Sequence, residues 1–458
     1  MSTSSVPVAA PMPVTLGAIR RMLEGVIPGV LCTVSRDGVP HLCYLSQADY
    51  IDEQHVALSF QFFNRSRENI LATRRAMLSV DDPYTAAGVR MQLEYLRTET
   101  AGPIFERMNA KLAGIASHSG MDKVFGLQGA DVYRVHAVLA VEGRRELAAP
   151  RPRCDLQPAM RAVSESLATA ATTEELLDAA MAGLRGPLAI DHAMLLMRDA
   201  GSDRLYTVAS LGYDESGVGS ELALGQGVAG IAAREGVPIR VGHLSLWKTY
   251  ASAVRERVLA FGLGAVADEE IPMPGLAEPR SQMAVPLKLF GAVCGVLLLE
   301  SGEDQHFSYD DEDALAVLAN QLALQLHLLQ RAESDAAAEA PVPAVPTLAG
   351  APLVVRHHPH NDSVFIDNDY LIKGVAGAIF RKLVADHLAH GRTEFSKREL
   401  RLDPSLKLPD VTDNLDVRLI LLQRRLDERA GPVRIEKTGR GRFRLVLERP
   451  LRLETMAS

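Results

Sequence analysis

Cysteine is scarce in this chain, no apolar run is long, and the first residues carry no basic charge. The four cysteines, Cys32, Cys43, Cys154 and Cys294, are scattered and form no Cys-x-x-Cys pair. That pattern speaks against a structural zinc site and for a reducing cytosol. The longest apolar stretches, such as 292–299, fall far below the roughly 18 residues a membrane span needs. Residues 1–13 are rich in Ser, Pro and Ala without a basic start, so they do not read as a secretory signal. Thirteen histidines are present, but only His357, His358 and His360 cluster. They stand at what reads as a domain entrance, and no metal site is expected there.

What is present is ordinary soluble protein in bulk: 47% hydrophobic and 23% charged residues. At 458 residues the chain is too long for one core, and about three domains are expected. The net charge of −8 is unevenly shared, since 352–458 holds 20 Lys/Arg against 15 Asp/Glu, which is +5, and leaves −13 for the rest. The tail therefore differs in kind, and an acidic partner such as nucleic acid is one reason for such a balance.

Chemistry concentrates first in 57–80. Leu58 and Phe60 alternate with polar neighbours and Phe62-Phe63 closes an aromatic run, as in a strand. Asn64 or Ser66 can cap the helix that follows. A helix start leaves amide N–H groups unpaired and carries partial positive charge. Arg65, Ser66 and Arg67 add donors and charge at that point, which suits a phosphate group. The plainer alternative is a capped helix with solvated arginines.

Around this stretch the pattern predicts an amphipathic helix over 14–25 and a hairpin in 28–45 turning on Asp37-Gly38. Further strands are expected at 76–80, 89–95 and 130–141, with a helix over 103–117. The hairpin Gly29-Val-Leu-Cys-Thr-Val-Ser-Arg-Asp-Gly-Val-Pro-His41, the turn Asn64-Arg-Ser-Arg-Glu-Asn-Ile70 and the strand Ala76-Met-Leu-Ser-Val-Asp-Asp-Pro83 resemble the pyridoxamine 5′-phosphate oxidase-like, FMN-binding split barrels. The resemblance covers 14–146. It implies FMN, with the phosphate held by Arg65, Ser66, Arg67 and Asn69. That family has Asn-Pro before the next strand, where this chain has Arg74-Arg75-Ala76, and some of its members bind haem, a deazaflavin or nothing.

A second unit begins past Pro152. Residues 156–167 read as a helix, and Thr172-Thr-Glu-Glu175 as a capping box for a helix to Leu184. Strands follow at 192–197 and 205–211. Gly225, Gly227 and Gly230 approximate a nucleotide loop, but no βαβ strand precedes them as required, so they read as a turn into a short helix. Two apolar strands fill 281–301, and Ser308 with Asp311 opens a helix over 312–329. The glycine turn, Ser281-x-x-x-Val-Pro-Leu287, Gly295-Val-Leu and Phe307-x-x-x-Asp311 resemble a GAF domain over 155–330. The resemblance implies a small-molecule sensory module, with His243, Trp247 and Tyr250 as candidate ligand wall. The alternative is that Trp247 covers the core. Leu315, Leu318, Leu322 and Leu329 have a/d-like spacings, which makes a homodimer an expectation.

Residues 331–352 form an Ala/Pro/acid linker that cannot bury a core. Beyond it, strands are expected at 353–355 and 363–366, with helices over 370–388, after the Ser396-x-x-Glu399 box, and over 414–429. A hairpin over 433–447 turns at Gly439 and Gly441. Asn414-Leu-Asp-Val-Arg-Leu-Ile-Leu-Leu-Gln-Arg-Arg-Leu426 and Ile435-Glu-Lys-Thr-Gly-Arg-Gly-Arg-Phe-Arg-Leu445 resemble the winged-helix effector domain of response regulators, over 353–454. The resemblance implies DNA contacts from Arg418, Gln423 and Arg424 on the third helix and from Lys437, Arg440 and Arg442 on the wing. The apolar run Leu419-Ile-Leu-Leu422 departs from that pattern and leaves room for a protein partner on the same surface.

The fold class is thus a multidomain α+β chain: split β-barrel, GAF domain, winged helix. The function expected is a cytoplasmic ligand- or redox-sensing transcription regulator without membrane attachment. The alternative is an FMN-dependent oxidoreductase with a regulatory GAF domain and a protein-docking tail. For an enzyme, His41, Tyr44 and His118 are proton-transfer candidates by residue type alone, so no catalytic residue is assigned.

Overall fold

The computed structural model describes residues 14–24, 27–45, 47–60, 65–119, 127–142, 152–199, 202–244, 273–335, 350–406, 415–429, 431–439 and 441–456. The chain divides into two units, Met1–Pro152 with Arg240–Ala251 and Asp304–Asp310, and the remainder.

The first unit holds seven strands: β1 (Gly29–Val34), β2 (Pro40–Leu45), β3 (Ala48–Asp52), β4 (His55–Phe60), β5 (Arg75–Asp81), β6 (Gly88–Glu99) and β7 (Gly129–Ala140). They form one antiparallel sheet ordered β2-β1-β5-β6-β7-β4-β3. The first hairpin closes as Asp-Gly chemistry demands. Gly38 takes φ 83° and the Ser35 carbonyl accepts from its N–H at 3.0 Å. Leu31, Leu58, Leu78, Val80, Met91 and Tyr133 alternate into the core, and Leu16, Ile19 and Leu23 of a 3₁₀ segment (Gly17–Glu24) join them. The segment expected as an amphipathic helix over 14–25 is thus 3₁₀ over Gly17–Glu24. Helix α1 (Arg65–Thr73) connects β4 to β5, and α2 (Pro103–Ser119) connects β6 to β7.

The second unit carries helices α3 (Leu156–Thr169) and α4 (Thr173–Arg185) ahead of a six-stranded sheet. Its strands are β8 (His192–Arg198), β9 (Arg204–Leu211), β10 (Glu221–Ala223), β11 (Ile239–Val241), β12 (Ser281–Leu289) and β13 (Ala292–Ser301), ordered β10-β9-β8-β13-β12-β11. The capping box forms reciprocally: Thr172 Oγ1 accepts from Glu175 N at 3.3 Å, and Glu175 Oε2 from Ala171 N at 2.8 Å. Helix α5 (Gly227–Glu235) follows the glycine turn and ends on Gly236 at φ 66°. Helix α6 (Tyr309–Asp335) closes the domain. At its start Asp311 accepts from Arg153 at 2.6 Å. Leu315, Leu318 and Leu322 of α6 lie in the core of their own domain, and Leu329 is half-buried. The exposed apolar side chains of that helix are Val317, Leu324 and Leu328.

The C-terminal part opens with β14 (Leu353–His358), β15 (Ser363–Ile366) and β16 (Asp369–Ile372), then helix α7 (Gly374–His390). The helix expected from 370 thus starts four residues later, because 369–372 is spent on a strand. Strand β17 (Glu394–Ser396), helix α8 (Lys397–Leu402) and helix α9 (Leu415–Glu428) follow, then β18 (Val433–Gly439), β19 (Arg442–Leu447) and β20 (Leu451–Thr455). Strand β20 pairs in parallel with β14, and β17 pairs with β19 of the hairpin. Ser396 caps α8 by accepting from Glu399 N at 3.2 Å. Thr412 and Asp413, residues of N-cap type just ahead of α9, lie outside the described residues.

Candidate functional site

Three places were singled out by sequence. At the first, helix α1 begins at Arg65 as expected, while Asn64 lies outside the described residues. Arg65 is exposed. Arg67 instead turns inward: its guanidinium pairs with Asp131 on β7, donates to Thr98 Oγ1 at 2.7 Å, and sits 4.2 Å from the Phe60 ring centroid. Thr98 in turn donates to Asp131 at 2.6 Å and lies 2.7 Å from Tyr95 Oη. Ser66 Oγ is 3.1 Å from Cys43 Sγ, and Asn69 donates to Thr33 Oγ1 at 3.1 Å. Three of the four residues expected to clamp a phosphate therefore spend their polar atoms on the protein interior. Of the four, Arg65 is exposed, and Arg67 is half-buried with its guanidinium on a buried carboxylate.

At the second place, His243 is buried and burial pushes its imidazole down to about 4, with the Lys111 charge adding to the shift. Trp247 and Tyr250 lie outside the described residues. The sheet shows instead a polar hub that the sequence reading missed. Gln282, Glu300 and His192 stand in register across β12, β13 and β8. The buried Glu300 carboxylate accepts from Tyr213 Oη at 2.9 Å, from Leu276 N at 3.0 Å and from the Gln282 amide. Burial, then the Glu300 charge, raises the Tyr213 phenol well above its usual range, so it stays a donor. The available signal was polar residues ending two otherwise apolar strands, Ser281-Gln282 and Glu300-Ser301.

At the third place, helix α9 carries Arg418 and Arg424. Arg418 is only 4% exposed. Its guanidinium reaches Asp199 at 2.8 Å, just past β8, and lies 3.8 Å from the centroid of Tyr206 on β9. Arg424 donates to the Val208 carbonyl at 2.9 Å and to Asp178 of α4 at 2.7 Å. Gln423 lines a recess of about 40 Å³ together with Thr172, Thr173, Glu174, Leu419 and Ile420, with Lys437 and Arg442 at its border. That volume holds a few waters and no larger ligand. Lys437 is exposed, Arg442 half-buried, and Arg440 lies outside the described residues.

The GAF domain family model matches residues 172–326. Those residues are a GAF domain. Among solved structures, the chain is similar to the GAF domain of a phosphoenolpyruvate-protein phosphotransferase from Acinetobacter, at 19% identity, covering 40% of this chain and 96% of that one, with a TM-score of 0.30. It is also similar to free methionine-R-sulfoxide reductase from Neisseria meningitidis in complex with its substrate, at 19% identity, 41% and 99% coverage and a TM-score of 0.31. An FMN-binding protein from Syntrophomonas wolfei subsp. wolfei is similar at 20% identity, covering 29% of this chain and 86% of that one, with a TM-score of 0.23. Comparison with curated proteins gives no match.

The GAF domain places the Glu300 hub and His243 within 172–326, and it places Asp178, Asp199, Tyr206 and Val208 on the surface that receives α9. The apolar run 419–422 has its explanation here. Helix α9 touches α7, α8, β16 and β18 of its own domain and also α4 and β9 of the GAF domain. A helix packed on two sides buries more than one stripe, and Leu419, Ile420, Leu421 and Leu422 are all at most 8% exposed. Among the described residues no group of three His, Cys, Asp or Glu is placed to hold a metal, and no helix is long and apolar enough to cross a membrane. His357 hydrogen-bonds Asp362 at 2.8 Å.

Proposed function

We propose that this chain is a ligand-responsive regulator in which the GAF domain governs a C-terminal DNA-binding domain of winged-helix type. One observation carries the reading: the order of elements after residue 350. Strands β14–β16, helices α7, α8 and α9, and a late hairpin whose β19 pairs back onto β17 ahead of α8 support this reading, since a helix-reading domain with a wing calls for such parts. The +5 balance of this part against −13 elsewhere agrees with a polyanionic partner. The small-molecule input is assigned to the GAF face around Glu300. No catalytic step is assigned, and no part of the reading passes through FMN.

The test is retardation of random and genomic duplex DNA by the full chain at two salt concentrations. Binding should fall steeply with salt, and Lys437→Ala and Arg442→Ala should each flatten the salt dependence by about one unit of slope, one phosphate contact apiece. If neither the wild-type chain nor the unclamped variant described below retards DNA at about 50 mM salt, the DNA reading is wrong.

A further inference from the structure

The two side chains that would read bases from α9 are held by the GAF domain. Arg418 is closed in by Asp199 and the Tyr206 ring, and Arg424 by Asp178 and the Val208 carbonyl. The hold extends along the seam: Lys373 Nζ lies 3.4 Å from Glu221 of β10, and Ser216 Oγ donates to Glu428 near the end of α9. A helix in this position cannot enter a groove.

The same GAF surface is tied to the buried hub. Residues 212–220 join β9 to β10. Tyr213 in that connection donates to Glu300, and Ser216, three residues on, donates to α9. Gly217 adopts φ 56° directly against Pro274, where a Cβ would stand 2.0 Å from Pro274 Cδ. Pro274 precedes Leu276, whose N–H is another donor to Glu300. The Thr207 and Ser220 hydroxyls, 2.8 Å apart, fasten the far end of the connection to β9 beside Tyr206. The Glu300 hub and the end of α9 are thus held by one short connection.

We propose that this arrangement is an autoinhibitory clamp. Asp199, Tyr206 and Asp178 hold α9 on the GAF domain, and a ligand that takes hydrogen bonds from the Glu300 hub loosens the 212–220 connection and releases the helix. The proposal rests on the regulatory reading above and adds to it the state in which the effector helix is masked. Such a switch needs differential affinity between two states, and the ligand supplies it by competing for donors that only the clamped state satisfies.

The experiment uses the full chain and an Asp178→Asn/Asp199→Asn variant, which removes both clamp carboxylates and leaves the side chains of α9 and the hairpin untouched. Two quantities are read: hydrogen exchange of amides in 204–211 and 415–428, and affinity for duplex DNA at fixed salt. Loss of two charge partners should raise the exchange rates in both segments and tighten DNA binding about tenfold or more. Tyr213→Phe, which removes one donor to Glu300, should shift both readouts in the same direction. Exchange unchanged in both variants overturns the clamp, whatever the DNA result. Faster exchange with DNA affinity equal to that of a measurably binding wild type overturns its inhibitory role. Faster exchange with no DNA binding by any variant upholds release of α9 and removes DNA as the partner.

Discussion

Arg67→Ala should damage the first unit's stability, and the size of the damage can be worked out from its partners. The guanidinium is 11% and the Asp131 carboxylate 5% exposed. Removing one member of a pair so buried costs about 3–5 kcal/mol, since the remaining charge has lost its solvent as well as its partner. Loss of the stacking on Phe60 adds about 1 kcal/mol. The Thr98 hydroxyl still donates to Asp131 at 2.6 Å, which offsets part of the cost. A net loss of about 3 kcal/mol follows. Had Arg67 served an exposed anion, truncation would have cost almost no stability.

Hydrogen exchange of β4, β6 and β7 peptides reads this unit without interference from the others. Exchange there should quicken by roughly two orders of magnitude, the equivalent of about 3 kcal/mol. The double variant Arg67→Met/Asp131→Asn should recover most of the loss, because a neutral pair of similar size has no stranded charge. Arg67→Ala within about 1 kcal/mol of wild type, or a double variant no better than the single one, would refute the argument.

Two further outcomes follow from single sites. His243 titrates near 6.5 unfolded and at about 4 folded, so between those values the unfolded chain binds more protons. Its contribution is complete above about pH 6.5 and is lost as pH falls through 4, up to about 3 kcal/mol; unfolding free energy against pH should be flatter across that window in His243→Asn. Gly377→Ala would place a Cβ 2.0 Å from the Asp362 carbonyl oxygen, a backbone atom that cannot swing aside, and should cost about 3 kcal/mol. Gly431→Ala, with nothing within 4 Å, is the control and should stay near neutral in thermal unfolding.

Local chemistry was legible where it acts over a few residues. Asp37-Gly38 marked its hairpin, and Thr172 with Glu175 and Ser396 with Glu399 marked their helix starts, because each device lies within four residues of its partner. Not every short strand was legible. Tyr370-Leu371-Ile372 was absorbed into the following helix because Ile372, Val375 and Ile379 keep helical spacing across the junction at Lys373-Gly374. The partners of the candidate site residues were illegible for a different reason. Arg67 meets Asp131 across 64 residues of sequence, and nothing local distinguishes an arginine awaiting a phosphate from one that has found a carboxylate.

The same limit explains α9, where the sequence pattern was right and its meaning was open. A run of four apolar residues contradicts a helix with one buried and one solvated face. It agrees with a helix that packs on its own domain and on a neighbour at once, as α9 does between α7 and α4. The basic residues then have partners on the GAF domain, Arg418 on Asp199 in a buried pair and Arg424 on the exposed Asp178. Apolar packing alone would make that contact permanent. On the reading proposed above, two arginines that either DNA or the GAF carboxylates could satisfy would leave it reversible, and the choice between them would depend on salt, ligand and the hold of the 212–220 connection.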